Sequence, residues 1–256
     1  MTERGRPVGP LAGRVALVTG ASSGLGRATA VAVAQAGADV GLLARGRGDL
    51  EQVAAEVGRV GGRALVLVAD LARSEELTGA VARVVEAFGR VDVLVNAAGT
   101  GTPGPVAELA VEDWDRVQAV NLRAPFVLAK AVLPHMRAAG HGTIVNVSSV
   151  AGKRGWANAG AYCASKFGLT GLTQALAAEG SAHGIRACVV YPGAMATSWG
   201  VWSPAERRAA SLDRPTATTA LPPEEVAALI VWIAAAPPEL VLNEAIVSPL
   251  QEQGWP

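Results

Sequence analysis

The sequence predicts an α/β fold, a parallel sheet covered by helices on both faces. Short β-branched apolar runs alternate with longer Ala-rich stretches, which is the pattern of βαβ units. Several of the short runs are apolar throughout rather than at every second residue, as expected of strands covered on both sides. No internal repeat or low-complexity linker divides the 256 residues, so one domain over 1–256 is expected.

The elements follow in order. The strand candidates are 14–19, 39–44, 64–69, 91–96, 143–148, 185–191 and 241–247, and the helix candidates are 24–36, 50–60, 75–88, 111–139, 161–183 and 224–235. Gly37, Gly61 and Gly184 stand where C-terminal helix stops are needed. Residues 193–222 have no clear periodicity and carry Pro, Thr, Ser and two Trp, so they are expected to form a functional lid.

Composition excludes several classes of function. Charged residues are 17% of the chain and the formal net charge is zero, which argues against disorder and against an extended basic nucleic-acid surface. Cys163 and Cys188 form no disulfide framework and no zinc pattern, and metal binding is not expected. Residues 1–13 are polar and lack the apolar core of a signal peptide. The longest apolar run, 226–236, falls short of the ~20 residues that span a bilayer. A cytoplasmic protein acting on a small molecule is therefore expected, without a membrane or nucleic-acid partner.

The first strand runs into Thr19-Gly20-Ala21-Ser22-Ser23-Gly24-Leu25-Gly26 and then a helix. Glycines there permit a sharp turn and let a pyrophosphate approach the positive end of the helix. Asp39 lies about twenty residues on, but it opens the second strand, roughly 17 Å from the end where a dinucleotide would sit, and is read as a solvated strand start. That strand ends in Ala44-Arg45. With no acid to hold a ribose hydroxyl and a cation to meet a 2′-phosphate, the sequence favours NADP over NAD. Asp70 closes the third strand and Asn96-Ala97-Ala98-Gly99 the fourth; either pair of ends could be a plain turn or a nucleotide contact.

Tyr162 and Lys166 are four apart on one helix candidate, hence on one face. A phenol ordinarily titrates near ~10, and a neighbouring ammonium favours its anion, so Lys166 is expected to lower the Tyr162 pKa. Ser149 stands at the end of the fifth strand, where a hydroxyl could hold a substrate oxygen. Packing alone does not explain a Gly-rich turn, a strand-end Ser and a Tyr-Lys pair in one chain.

These motifs, with Asn121, Ser148-Ser149, Tyr162-Cys-Ala-Ser-Lys166 and Pro192-Gly193 followed by Thr197, make the chain resemble the short-chain dehydrogenase/reductase family over nearly its full length. The resemblance implies a three-layer Rossmann fold with a seven-stranded parallel sheet and a tetrad of Asn121, Ser149, Tyr162 and Lys166. In it Tyr162 is the general acid/base, Ser149 orients the reacting oxygen, Lys166 binds the nicotinamide ribose, and Asn121 holds a water in the proton relay. Gly20, Ser22, Ser23, Gly24, Leu25, Gly26, Arg45, Asp70, Leu71, Asn96, Ala97, Ala98, Gly99, Tyr162, Lys166, Pro192, Gly193 and Thr197 would contact the cofactor, Asp70 at the adenine and Gly193 and Thr197 at the nicotinamide end. A homo-oligomer is implied, a tetramer or a dimer built on 111–139 and 161–183.

The chain departs from the family pattern in three places. Ala97 replaces a second Asn, Arg186-Ala187-Cys188 lacks a structural Asn, and the C-terminal stretch 242–250 lacks the usual Val-Asp-Gly-Gly close, which puts a subunit contact in question. Trp156, Met195, Trp199 and Trp202 either wall an apolar pocket or pack the lid. His135, His141 and His183 are read as surface or capping residues, Cys163 as a packing residue, and Arg207-Arg208, offset by Glu206, as a solvated pair. The expected activity is NADPH-dependent reduction of a ketone, or oxidation of a secondary alcohol. An NAD-dependent alcohol dehydrogenase and a non-catalytic nucleotide sensor are the alternatives.

Overall fold

The computed structural model describes residues 8–197 and 220–251. Strands β1 (Val15–Thr19), β2 (Asp39–Ala44), β3 (Ala64–Val68), β4 (Val93–Asn96), β5 (Gly142–Val147), β6 (Ile185–Pro192) and β7 (Glu244–Val247) form one sheet in the order β3-β2-β1-β4-β5-β6-β7. Every pair is parallel, and the order reverses between β1 and β4. In such sheets a ligand binds outside the carboxyl ends of the strands at that reversal.

Helices α1 (Gly24–Gln35), α2 (Arg47–Arg59), α3 (Ser74–Phe88), α4 (Val111–Gln118), α5 (Ala124–Ala139), α6 (Gly160–Gly180) and α7 (Pro223–Ala235) complete the three layers. One core, under α1, α2 and α7, takes Ala16, Val18, Val40, Leu42, Val93, Val145 and Val190 from the sheet. The other, under α3, α5 and α6, takes Leu17, Leu43, Leu94, Ile144 and Ala187. Both faces are buried, which is why several of the strands read as largely apolar runs without alternation. Gly37, Gly61 and Gly184 follow α1, α2 and the turn after α6 with φ of 102°, 85° and 68°, a region that favours glycine.

Several boundaries differ from expectation: the helix expected over 50–60 begins earlier, at Arg47, and the one expected over 161–183 ends at Gly180 and passes into a 3-10 turn at Ser181–His183. The helix expected over 111–139 is interrupted by a π turn at Ala119–Arg123, which separates α4 from α5. Strand β4 begins at Val93, just after Asp92, whose amide donates to Val15 O at 2.8 Å and whose carboxylate accepts the Val15 amide at 2.8 Å. Strand β7 begins at Glu244, and the segment before it is instead held by Arg186, whose guanidinium donates to the carbonyls of Ala236, Pro237 and Leu240. Asp39, read as a solvated strand start, is paired with Arg63. No helix among the described residues is long and apolar enough to cross a membrane.

At the amino end of the sheet, Asp92 accepts from Arg90 Nη2 at 2.6 Å, and His141 ring nitrogens lie 2.8 and 2.9 Å from Arg14 Nη1 and 2.9 Å from Arg90 Nη2. Only a neutral imidazole can accept from a guanidinium. Burial first and the Arg14 charge second lower the His141 pKa below its ordinary 6.5. The unfolded chain therefore binds this proton more tightly than the folded one. The stability it contributes is present above pH 6.5 and lost as pH falls through the lowered folded value. Melting temperatures between pH 7 and 5 should fall less steeply for His141→Asn than for the unsubstituted protein; parallel curves would contradict the assignment.

Candidate active site

The Gly-rich segment leaves β1 at its carboxyl end. Gly20 has φ of 67°, and a Cβ there would stand 2.9 Å from Ala98 Cα; a Cβ on Gly26 would stand 2.2 Å from the Gly20 carbonyl oxygen. Both positions must be glycine. Gly24, at φ of 51°, opens α1, and a Cβ there would meet Thr197 Cγ2 at 3.3 Å. Ala98 N donates to Thr19 Oγ1 at 3.2 Å. Three separate segments, 20–26, 96–99 and 193–197, thus converge on one place above the sheet reversal.

This cradle fits a dinucleotide. The Ser23 side chain does not cap α1, and the first turn of that helix carries no acid, so the amides at its start are left for an anion. Ser22 and Ser23 lie in the turn itself, whereas Leu25 is buried in the core and can offer a ligand only its backbone. Arg45 follows β2 beside the turn, exposed, with no hydrogen bond or ion pair to another described residue. Asp70 Oδ1 accepts from the Ala72 amide at 3.0 Å, and Leu71 is buried in the core. Asn96 is buried with its Nδ2 on Asn146 Oδ1 at 2.8 Å. Pro192 ends β6, and the Gly193 amide donates to Val247 O at the end of the neighbouring strand β7, 2.8 Å away.

Beside the cradle stand the polar groups of β5 and α6. Ser149, just past β5, accepts the Ala151 amide at 3.1 Å on Oγ and so caps the 3-10 turn Val150–Gly152. Its side chain also hydrogen-bonds Tyr162 in the first turn of α6. Lys166, one turn on, is buried; its Nζ donates to Val147 O at 2.8 Å and lies 5.6 Å from the Tyr162 ring centroid. Burial raises the Tyr162 pKa well above the usual phenol value, against the Ser149 bond that lowers it. Burial also lowers Lys166 to about 8. The expected lowering of Tyr162 by Lys166 is not found: desolvation raises the phenol, the Ser149 bond lowers it, and the Lys166 ammonium, donating to Val147 O, is not among the groups that shift it.

Asn121 lies in the π turn, fully buried. Its Oδ1 accepts the Thr100 amide at 2.9 Å, and its Nδ2 donates to Thr100 O at 2.8 Å and Ser165 Oγ at 3.0 Å. Ser165 Oγ in turn donates to Tyr162 O at 2.7 Å. Thr100 and Ser165 were not singled out in the sequence; Ser165, inside Tyr162-Cys-Ala-Ser-Lys166, was the visible signal. The π turn itself, a feature that favours functional sites, has no signature in the apolar periodicity.

Cys163 Sγ accepts the Trp156 amide at 3.4 Å, which ties the segment before α6 to its first turn, and Trp156 is 37% exposed. Met195 is half-buried against the α7 side and pairs with Leu221. Trp199, Trp202, Glu206, Arg207 and Arg208 lie outside the described residues, as does most of the expected lid. Among the described residues no group of three or more His, Cys, Asp or Glu could hold a metal.

A family model described as short chain dehydrogenase matches residues 14–206. The chain is 38% identical over 226 residues to D-threitol dehydrogenase of Mycolicibacterium smegmatis, covering 88% of this chain and 86% of that protein. Among solved structures it is similar to a metagenomic short-chain oxidoreductase in complex with NADP, with a TM-score of 0.82 and 36% identity over 95% of this chain and 100% of the other. An alcohol dehydrogenase from the archaeon Thermococcus sibiricus, complexed with 5-hydroxy-NADP, has a TM-score of 0.86 and 27% identity, covering 94% of this chain and 99% of its own.

Proposed function

Because the chain belongs to the short-chain dehydrogenase family, we propose that it transfers a hydride between NADPH and a ketone or secondary alcohol, with Tyr162 exchanging the proton. Oxidoreduction of alcohol or carbonyl groups with a nicotinamide cofactor comes with that membership. The observation that carries the finer reading is the Ser149–Tyr162 hydrogen bond, with Lys166 one turn on, opening beside the glycine cradle.

The cofactor, when bound, supplies or accepts the hydride. The chain's own residues do the rest. Gly20, Ser22, Ser23, Gly24, Leu25 and Gly26 would receive the pyrophosphate, Asp70, Leu71 and 96–99 the adenosine end, and Pro192, Gly193 and Thr197 the nicotinamide end. Tyr162 and Ser149 can both bond one substrate oxygen. A phenol whose pKa is raised by burial is fully protonated at neutral pH, so Tyr162 is set to donate as that oxygen gains negative charge. The ammonium of Lys166 limits the cost of the tyrosinate that remains and can meet the ribose hydroxyls. Asn121, through Thr100 and Ser165, holds the turns around them.

Arg45 selects the phosphorylated cofactor. A guanidinium on a 2′-phosphate makes charge-assisted bonds worth roughly 1.5 to 3 kcal/mol, about 10- to 150-fold in affinity. Arg45→Ala should weaken NADPH by about that factor in a fluorescence titration and leave NADH nearly unchanged. Equal weakening of both would make Arg45 a bystander. The activity is tested by following NADPH oxidation against a panel of ketones and aldehydes, with NADH in parallel.

A homo-oligomer, tetramer or dimer, is part of the same reading. Phe126 on α5, 49% exposed, lines a groove with Ala129, Leu133, Leu172 and Leu176, rimmed by Lys130, Arg137 and Glu179, and Phe167 on α6 is 46% exposed. An apolar patch of this kind favours a second copy. Two buried free cysteines suit a reducing cytoplasm.

A further inference from the structure

We propose that Glu244, on the edge strand β7, is a positioning residue that ties the turn bearing Ser149 to the helix bearing Tyr162 and Lys166. The inference rests on the reading of those three residues given above.

The sheet supplies the geometry. Thr19, Asn96, Asn146, Val189 and Glu244 are register partners across β1, β4, β5, β6 and β7. The row is polar at four of its five positions, and its β5-to-β7 end runs beneath α6. Asn146 Nδ2 donates to Thr173 Oγ1 at 2.9 Å, and at the sheet edge Gln174 Nε2 donates to Glu244 Oε1 at 3.1 Å. Two consecutive residues of α6 are thus fixed to the sheet, one by a buried amide and one by this carboxylate.

The other carboxylate oxygen of Glu244 pairs with Lys153 Nζ, 91 residues away in sequence. Lys153 ends the 3-10 turn that Ser149 begins, and its amide donates to Val150 O at 3.0 Å. Its ammonium also lies 4.5 Å from the ring centroid of Tyr191, a fully buried residue of β6. Gly152, within the turn, is pressed against α6, where a Cβ would stand 3.0 Å from Lys166 O. The turn therefore has a contact with α6 on one side and the Lys153–Glu244 pair on the other. Each partner favours the charged form of the other, Glu244 being held below the usual carboxylate range chiefly by Lys153.

Exposed ion pairs contribute little to stability, and this one, at 28% and 32% exposure, is not wholly buried. Its effect lies in placement. Catalysis by oriented groups loses up to ~100-fold for a displacement near 1 Å, so a tie worth little to folding can be worth much to turnover. Lys153 and Glu244 do not touch the glycine cradle, and cofactor affinity is expected to be independent of them.

The test uses Glu244→Gln, which keeps the shape and removes the charge, together with Lys153→Met, Lys153→Arg and the double variant Lys153→Met/Glu244→Gln. Glu244→Gln and Lys153→Met should each lower kcat for ketone reduction about 10-fold with the NADPH dissociation constant unchanged. The double variant should be no worse than either single one, and Lys153→Arg should retain most activity. Amide exchange measured by mass spectrometry without substrate should quicken in residues 149–154 of Glu244→Gln and stay unchanged in 20–26. Unaltered exchange in 149–154 overturns the tie even if the unsubstituted protein reduces no ketone. Faster exchange with unaltered kcat overturns the positioning role, as does a parallel loss of kcat, NADPH affinity and melting temperature. Absence of turnover in the unsubstituted protein, with the exchange result as expected, refutes the proposed activity and leaves the tie supported.

Discussion

Tyr162→Phe should lower turnover by at least ~100- to 10,000-fold, the usual worth of general acid catalysis, and leave NADPH affinity close to that of the unsubstituted protein. The ring and its packing stay; only the transferable proton goes. Ser149 keeps its bond from the Ala151 amide, so the turn beneath it holds. The chain's second tyrosine, Tyr191, lies in β6 with its ring against the Lys153 ammonium and has no bond to Ser149. Steady-state rates and a fluorescence titration of NADPH check both halves. A variant that keeps a tenth of its activity would remove Tyr162 from the proton's path.

Lys166→Ala should damage rate and cofactor affinity together, because the proposed reaction assigns one ammonium to both the phenol and the ribose. The sign of its linkage supports a functional reason for its burial. The folded pKa, about 8, lies below the ordinary 10.5, so the folded chain holds this proton less tightly than the unfolded one. The stability this group contributes is present above 10.5 and lost as pH falls through about 8. At neutral pH the fold therefore carries a desolvated ammonium that does not help it stand. Lys166→Ala should accordingly retain cooperative unfolding while kcat falls and the NADPH dissociation constant rises. Unchanged cofactor affinity with an unchanged pH-rate profile would refute the double assignment.

The sheet was legible in the sequence because both its faces are buried: residues 15–18 of β1 and 40–44 of β2 are runs without a polar side chain, as such burial requires. Local chemistry marked the glycine cradle, since Gly20 and Gly26 admit no Cβ, and the spacing of Tyr162 and Lys166 placed them on one face of α6. What the sequence hid was set by distance. Nothing local shows that Asn121 would sit in a π turn, because 111–139 keeps its helical periodicity through the interruption. The Lys153–Glu244 pair joins residues 91 apart, and the atypical C-terminal stretch was read only as a question about subunit contacts. The direction of the Tyr162 shift is hidden for a related reason: an i, i+4 ammonium is visible in the sequence, whereas the burial that raises the phenol is a property of the packed fold.

In the proposed reaction a hydride moves from NADPH to a carbonyl carbon while a proton reaches the oxygen through Tyr162. The decisive experiment gives the enzyme NADPH dideuterated at the nicotinamide C4, with a ketone that the panel shows to be reduced, and analyses the alcohol by mass spectrometry and NMR. One deuterium is expected on the former carbonyl carbon for each NADPH consumed. Oxidation of the cofactor with no deuterium on that carbon would contradict the proposed reaction.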